Sequence, residues 1–159
     1  MVKHFLWMEG IILAKIIMTS GSYDLLHFGH LNILLKAKSF GDFLIVGVST
    51  DELIKKYKGL APVIKYKDRV ALIKQLKCVN RVVKQSKLVD IEQFKKLKAD
   101  AFALGDDWKE NYSNKGINWL RDNNKIIWIP YTKRLSTTKI KQTIIKNADK
   151  IKSNLESRK

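Results

Sequence analysis

Apolar positions along the chain fall into short runs separated by stretches with helical spacing. Ile16-Ile17-Met18, Phe43 to Val48, Arg81 to Val83, Ala101 to Leu104 and Ile126 to Ile129 are brief runs rich in apolar residues, bounded by glycine, proline or polar residues. Runs of this length and flanking predict buried strands. Between them, apolar residues recur at helical intervals. Leu31, Leu34, Leu35 and Ala37 mark a helix over residues 30–40, stopped by Gly41-Asp42. Val70, Leu72, Ile73 and Leu76 mark one over 67–77, and Ile91, Phe94 and Leu97 one over 91–98. Residues 117–122 and 136–147 complete the set, the latter with Ile140, Ile144 and Ile145 on one face. Asp51 to Tyr57 suits a short helix, and Gly59 to Pro62 a loop.

Strands that alternate with helices and lack an exposed polar face imply a parallel sheet covered on both sides. The expected fold is therefore α/β, a doubly wound (Rossmann-like) five-stranded parallel sheet. Its strands lie near 15–20, 43–48, 81–84, 101–104 and 126–129. Residues 1–14 form an N-terminal extension, 15–147 the folded domain, and 148–159 a basic C-terminal tail expected to fray. In such sheets ligands bind beyond the carboxyl ends of the strands. The turns after the strands are thus where chemistry is expected.

A chain of 159 residues buries roughly 68–70% of its unfolded surface and needs no disulfide or metal to hold a core. Cys78 is the only cysteine, which excludes a disulfide framework and a cysteine-rich zinc site. The default compartment is the cytoplasm. The stretch from Phe5 to Met18 is broken by Glu9, Gly10 and Lys15. It fits neither a membrane span nor a signal peptide. The balance of 31 Lys+Arg against 15 Asp+Glu, a formal +16, points toward anionic partners: nucleic acid, an anionic surface or phosphorylated small molecules. The lysines are scattered, no RNA-binding motif accompanies them, and only five of the basic residues are arginine. A nucleic-acid-binding role therefore ranks low.

The first strand runs into Gly21-Ser22-Tyr23-Asp24-Leu25-Leu26-His27-Phe28-Gly29-His30. This turn sets two of the chain's three histidines around a glycine at a helix start. Free N–H groups and the positive end of the helix dipole make such a start an anion site. Gly29 allows close approach of a phosphate. Two imidazoles there can donate hydrogen bonds to a phosphoryl oxygen during its transfer. Adjacent carboxylates Asp106 and Asp107 follow the fourth strand. They suit magnesium, a ribose or a helix cap.

The first turn resembles the signature of the cytidylyltransferase-like nucleotidyltransferases, Gly-Thr-Phe-Asp followed by His-x-Gly-His. Ser49-Thr50-Asp51-Glu52, Gly105-Asp106-Asp107-Trp108 and Ser136-Thr137-Thr138 extend the resemblance over about residues 15–147. The Gly-Asp-Asp-Trp run makes it most similar to the glycerol-phosphate branch. The segment Lys58 to Val63 also resembles sugar-phosphate adenylyltransferases of the same superfamily. Two positions depart from the usual pattern before the last helix. Tyr131 stands where the family has a phosphate-binding arginine, and Arg134 where it has glycine.

The resemblance implies a role for each matching residue. His27, His30 and Lys58 are expected to be catalytic. Ser20, Gly21, Ser22, Tyr23 and Gly29 are expected to bind the nucleotide, with Asp106 and Asp107 gripping the nucleoside. Ser136, Thr137 and Thr138 are expected on the phosphates, with Arg134 restoring the charge lost at Tyr131. Asp24, Lys56 and Arg69 are assigned to the acceptor. No metal is expected to be held by the protein. Mg2+ would arrive on the nucleoside triphosphate.

The activity implied is transfer of CMP from CTP to a phosphorylated alcohol, glycerol 3-phosphate first among them, by a homodimer. An adenylyltransferase acting on a sugar phosphate is the alternative. A catalytically inactive relative or a nucleic-acid-binding protein ranks below both.

Overall fold

The structure is a computed structural model that describes residues 15–111, 114–132 and 136–157. Five strands form one all-parallel sheet: β1 (Ile16–Gly21), β2 (Phe43–Ser49), β3 (Arg81–Gln85), β4 (Ala101–Gly105) and β5 (Ile126–Ile129). The helices are α1 (Phe28–Lys38), α2 (Asp51–Lys58), α3 (Tyr66–Lys74), α4 (Ile91–Lys96), α5 (Trp108–Asn111), α6 (Lys115–Asp122), α7 (Thr137–Lys146) and α8 (Ala148–Glu156). The strands lie where the apolar runs predict them.

Strand alternation divides the core in two. Ile17, Leu44 and Val46 face one layer with Leu34, Ala37 and Ile73. Their neighbours Met18, Ile45 and Phe102 face the other with Phe94, Ile117 and Leu120. Each fully buried aliphatic side chain contributes about 1.5–3 kcal/mol. Because both faces are covered, the strands lack the polar alternation of a half-exposed sheet.

The strand order is β3-β2-β1-β4-β5. From β1 the chain winds outward to β2 and β3, then returns to the other side for β4 and β5. The switch falls between β1 and β4, where diverging connections leave a crevice at the carboxyl ends.

Local chemistry sets the helix ends nearest that crevice. Thr50, Asp90, Asn114 and Ser136 cap α2, α4, α6 and α7, each side chain accepting an N–H two or three residues into its helix. Gly59 ends α2 with φ +78°, a left-handed conformation that favours glycine.

Two helices were not expected. α5 is a short turn after β4. α8 occupies most of the segment expected to fray, with Ile151 and Leu155 one turn apart on one side. It has no fully buried residue, so little core packing announces it in the sequence. Among the described residues no helix is long and apolar enough to cross a membrane.

Candidate active site

A cleft of about 430 Å³ opens at the carboxyl end of the sheet, over the β1/β4 switch. That volume suits a nucleotide-sized ligand. Ser20 and Gly21 from β1, Gly105 from β4 and Ile129 from β5 form its floor. A side chain on Gly105 would collide with the Asp107 carboxylate, so glycine there keeps the floor low.

His27 and His30 stand on one side of the cleft. His27 caps α1, and its Nδ1 accepts the Gly29 N–H at 3.0 Å. The neutral ring therefore carries its proton on Nε2. That nitrogen lies 3.5 Å from Thr137 Oγ1, a contact too long to hold the proton firmly. The Thr137 hydroxyl donates instead to the Asp24 carbonyl at 2.9 Å. The His27 Nε2–H is thus available to an incoming phosphoryl oxygen.

The His30 ring stacks on His27 at 3.9 Å between centroids and meets Tyr23 edge-on at 5.5 Å. Its Nδ1 is buried without a hydrogen-bond partner. Burial, aided by the charges of His27 and Lys58, pushes the His30 imidazole down to about 3. His30 is therefore neutral at physiological pH and acts as a hydrogen-bonding group rather than a fixed cation.

This shift has a measurable consequence for stability. The unfolded chain takes up a proton on His30 below about pH 6.5, whereas the folded chain resists it. The stability tied to neutral His30 is fully present above about pH 6.5 and is lost as pH falls toward 3. Between about pH 7 and pH 4.5, His30→Asn should lose less melting temperature than the wild type. Equal losses in the two proteins would assign the acid sensitivity to other groups.

The first turn is held under strain. Tyr23 and Leu25 both have φ +49°, an unfavourable region for bulky residues that costs on the order of 1–3 kcal/mol each. The loop between α2 and α3 holds it in place. The Asp24 carboxylate accepts the Val63 N–H at 3.1 Å and the Ile64 N–H at 2.9 Å. Burial raises the Asp24 pKa, but these N–H groups and Lys141 outweigh it and bring the net value below the usual carboxylate range. The carboxylate is therefore ionised.

Arg69, 1% exposed, spans the same junction. It donates to the Ser22 carbonyl, to the Ile64 carbonyl at 2.9 Å and to Asp51 Oδ1 at 2.6 Å. Its three planar nitrogens are committed inside the protein.

The structure gathers most of the expected residues around the cleft. Ser20, Gly21, Ser22, Tyr23, His27, Gly29, His30, Lys58, Asp107, Ser136, Thr137 and Thr138 all border it. Lys56 does not. It lines a separate shallow depression with Glu52 and Lys84. Two residues apart on a helix point about 200° apart, so α2 turns only one of Lys56 and Lys58 to the cleft. Lys58 reaches Ser22 Oγ at 3.3 Å. Burial and the nearby charge of Lys141 lower its pKa.

Asp24 and Arg69 lie behind the first turn, where they hold its shape. Asp106 braces the floor by accepting the Tyr131 N–H at 2.8 Å. Asp107 borders the cleft, and burial raises its pKa. Arg134 lies outside the described residues. Among the described residues no group of three or more His, Cys, Asp or Glu side chains stands close enough to hold a metal.

Two groups went unnoticed in the sequence. Gln85 closes β3, accepts Ser49 Oγ–H at 2.7 Å and donates to Ser20 Oγ at 2.8 Å. It joins three strand ends under the cleft, and its signal was a polar residue terminating an apolar strand. Lys141 lies 3.4 Å from Asp24 Oδ2, and its signal was a position one turn beyond Thr137 on α7.

A model of the family described as Cytidylyltransferase-like matches residues 18–148. The chain belongs to the cytidylyltransferase-like family. It is 34% identical over 134 residues to the glycerol-3-phosphate cytidylyltransferase of Staphylococcus aureus, covering 82% of this chain and 95% of that one. It is 43% identical over 104 residues to the bifunctional protein HldE of Helicobacter pylori, covering 65% of this chain and 22% of that longer protein. A lipopolysaccharide core biosynthesis protein from Thermoplasma volcanium shares the fold, with TM-score 0.61 and 24% identity over 77% of this chain and 99% of that chain.

As a cytidylyltransferase-like enzyme the chain is a nucleotidyltransferase that handles a nucleotide and a phosphorylated substrate. The matched region contains the histidine turn, the four residues after β4 and the start of α7, the segments that converge on the cleft. Within this family the departure at Tyr131 is physically consequential. Its side chain is half exposed at the cleft and brings no positive charge to it.

Proposed function

We propose that this cytidylyltransferase-like enzyme transfers CMP from CTP to a phosphorylated alcohol, glycerol 3-phosphate first among them. The carrying observation is the stacked His27–His30 pair at the start of α1, facing Thr137 at the start of α7. In this reading the two helix starts cradle the triphosphate. A phosphate oxygen of the acceptor attacks the α-phosphorus in line. The bond from that phosphorus to the bridging oxygen breaks, and pyrophosphate leaves. No covalent enzyme intermediate forms.

The protein contributes position and charge stabilisation. The His27 Nε2–H and the His30 ring serve the oxygens of the transferring phosphoryl group. Lys58 offsets negative charge at the cleft wall. Ser136, Thr137 and Thr138 receive the triphosphate tail, and Asp107 and Gly105 lie where the nucleoside sits. Mg2+ enters as part of the triphosphate substrate and neutralises some of its charge. Arg134 supplies the cation that Tyr131 lacks.

The length of shared chain with the Staphylococcus aureus enzyme supports this acceptor. The Lys58 to Val63 segment, which resembles sugar-phosphate adenylyltransferases of the same superfamily, favours one second reading: an adenylyltransferase acting on a sugar phosphate. Pyrophosphate release separates the two. The protein is incubated with each of the four ribonucleoside triphosphates against glycerol, ribitol, ethanolamine and sugar phosphates. CTP with glycerol 3-phosphate is expected to turn over fastest. A preference for ATP with a sugar phosphate would replace this assignment with the second. No turnover with any pair would reject both.

The enzyme is also proposed to act as a homodimer in the cytoplasm. Ile144, Ile145 and Leu155 on α7 and α8 are at least half exposed, an apolar surface that a second copy would cover. Light scattering of the purified protein tests the dimer, and a mass of one chain would reject it.

A further inference from the structure

We infer that Gln85 is a positioning residue for acceptor choice: it holds the Ser20 hydroxyl as a fixed donor into the cleft, where that proton meets a hydroxyl oxygen of the phosphorylated alcohol. The inference rests on the proposed nucleotidyl transfer and names what its acceptor must carry besides phosphate, an uncharged chain bearing a hydroxyl. It gives the Ser20 hydroxyl to the acceptor, where the family resemblance implies the nucleotide.

The first argument is the direction of the protons. Gln85 closes β3 and is 4% exposed. Its Nε2 donates to the Leu88 carbonyl and to Ser20 Oγ at 2.8 Å, and its Oε1 accepts the Ser49 Oγ–H at 2.7 Å. A backbone carbonyl can only accept, so Leu88 fixes which end of the amide faces it. Both amide protons are then spent, and so is the proton of the buried Ser49 hydroxyl. Ser20 Oγ receives a proton from the amide, so its own O–H points elsewhere. Among the described residues nothing accepts that proton, and Ser20 borders the cleft. Of the two serines, only Ser20 therefore offers a donor to a ligand.

The second argument is the gap that lets Gln85 reach. Ser20 pairs with Gly47 across β1 and β2, and β2 separates β1 from β3. A Cβ on Gly47 would stand 3.0 Å from Ser20 Cβ and 3.5 Å from Gln85 Cβ. The bare backbone of Gly47 is thus the space across which the amide on β3 meets the hydroxyl on β1. A buried polar network with every member satisfied is rigid, so the Ser20 donor is set before the acceptor arrives.

The third argument is place and chemistry. The order β3-β2-β1-β4-β5 sets Ser20, Ser49 and Gln85 on one side of the β1/β4 switch. Gly105 and Asp107, where the nucleoside is proposed to sit, lie on the other. The carbon chain of the acceptor therefore falls to the side of Ser20. Among the described cleft residues Asp107 is the only carboxylate, and it stands across the switch. An ammonium group has protons to give and no lone pair to accept one. An amino-alcohol phosphate would thus meet a donor without a counter-charge, whereas a hydroxyl oxygen accepts the Ser20 proton.

The rival role for Gln85 is a strut that only ties three strand ends together. Steady-state kinetics at saturating CTP separate the two, with glycerol 3-phosphate, propyl phosphate and ethanolamine phosphate as acceptors. Propyl phosphate keeps the phosphate and the three carbons but has no hydroxyl. Wild type should favour glycerol 3-phosphate over propyl phosphate in kcat/KM by roughly 10- to 100-fold, the effect of leaving one buried donor unpaired. It should use ethanolamine phosphate least. Ser20→Ala removes the donor and should cut the preference to within about threefold. Gln85→Glu keeps both hydroxyls, but its carboxylate accepts the Ser20 proton and turns it from the cleft, so the preference should fall likewise. Neither variant should change propyl phosphate kinetics or the KM for CTP by more than about twofold, well under the loss of one hydrogen bond. Gln85→Met, which brings no charge, should also lower the preference and serves if Gln85→Glu does not fold.

Equal losses on every acceptor with a lowered melting temperature would overturn the inference in favour of the strut. A preference that survives in active Ser20→Ala or in the active Gln85 variant would overturn it and leave the proposed function standing, as would a wild type indifferent to the acceptor's hydroxyls. A raised KM for CTP with acceptor preference intact would place the Ser20 donor on the nucleotide instead. Wild-type protein that turns over no triphosphate and phosphoalcohol pair would overturn the proposed function and this assignment with it.

Discussion

His30→Ala should lower turnover by roughly 10²–10³-fold, the effect of removing one preorganised donor from a site of developing charge. The His30 Nδ1 is buried and unpartnered, and its ring is clamped between His27 and Tyr23. The group is therefore already in place before substrate arrives, and no reorganisation is needed during the reaction. Because burial keeps the ring neutral in the free protein, its attraction for a ground-state triphosphate is modest. Its value grows as charge builds on the transferring phosphoryl oxygens. CTP affinity should accordingly change less than turnover, as for a group that acts mostly in the transition state. Single-turnover rates and CTP binding on the same variant make the comparison. Equal losses in both would mean that His30 serves only to hold the triphosphate.

Arg69→Ala should destabilise the fold by about 3–5 kcal/mol, the cost of breaking a buried ion pair and emptying a large buried side chain. The guanidinium joins the Ser22 carbonyl, the Ile64 carbonyl and Asp51 across three segments. Its loss leaves the Asp51 carboxylate and two carbonyls without their donor. It also releases the strained turn that carries Tyr23. At roughly 2–4 °C per kcal/mol for a chain of this size, the melting temperature should fall by about 10 °C.

Arg69→Lys should recover little of that loss, because one ammonium cannot make the planar fork. Turnover should drop in both variants through the distorted turn, with KM for CTP and acceptor rising together. A variant that keeps its melting temperature and raises only the acceptor KM would return Arg69 to the role of acceptor ligand that the family resemblance implies.

The residues differ in how readable they were, and the reasons are physical. The His27 to His30 turn was legible because its chemistry is local: the spacing, the glycine and the helix start lie within one short segment. Ser136 was legible for the same reason, since a capping hydroxyl declares itself by position. Arg69 was not. Its residue type suits a phosphate and the inside of a protein equally, and only the packing of α3 against the first turn shows its nitrogens occupied. Lys56 and Lys58 looked alike as charges two residues apart, and the helical phase of α2 separated them. Lys141 was hidden among many lysines until α7 brought it to Asp24. The helix α8 escaped notice because Ile151 and Leu155 are too few to outweigh a polar tail.

By itself the sequence determined the five strands, the helices α1 to α4, α6 and α7, and the histidine turn that opens α1. Those features rest on hydrophobic spacing and local backbone preference, which act over a few residues. The tertiary structure alone decided the order β3-β2-β1-β4-β5, and with it the place of the cleft between β1 and β4. It also decided which charges face that cleft and which are spent inside. Such outcomes depend on contacts between residues far apart in the chain, such as Arg69 with Ser22 and Lys141 with Asp24. No local pattern encodes them, because a side chain's free energy depends on what surrounds it after folding.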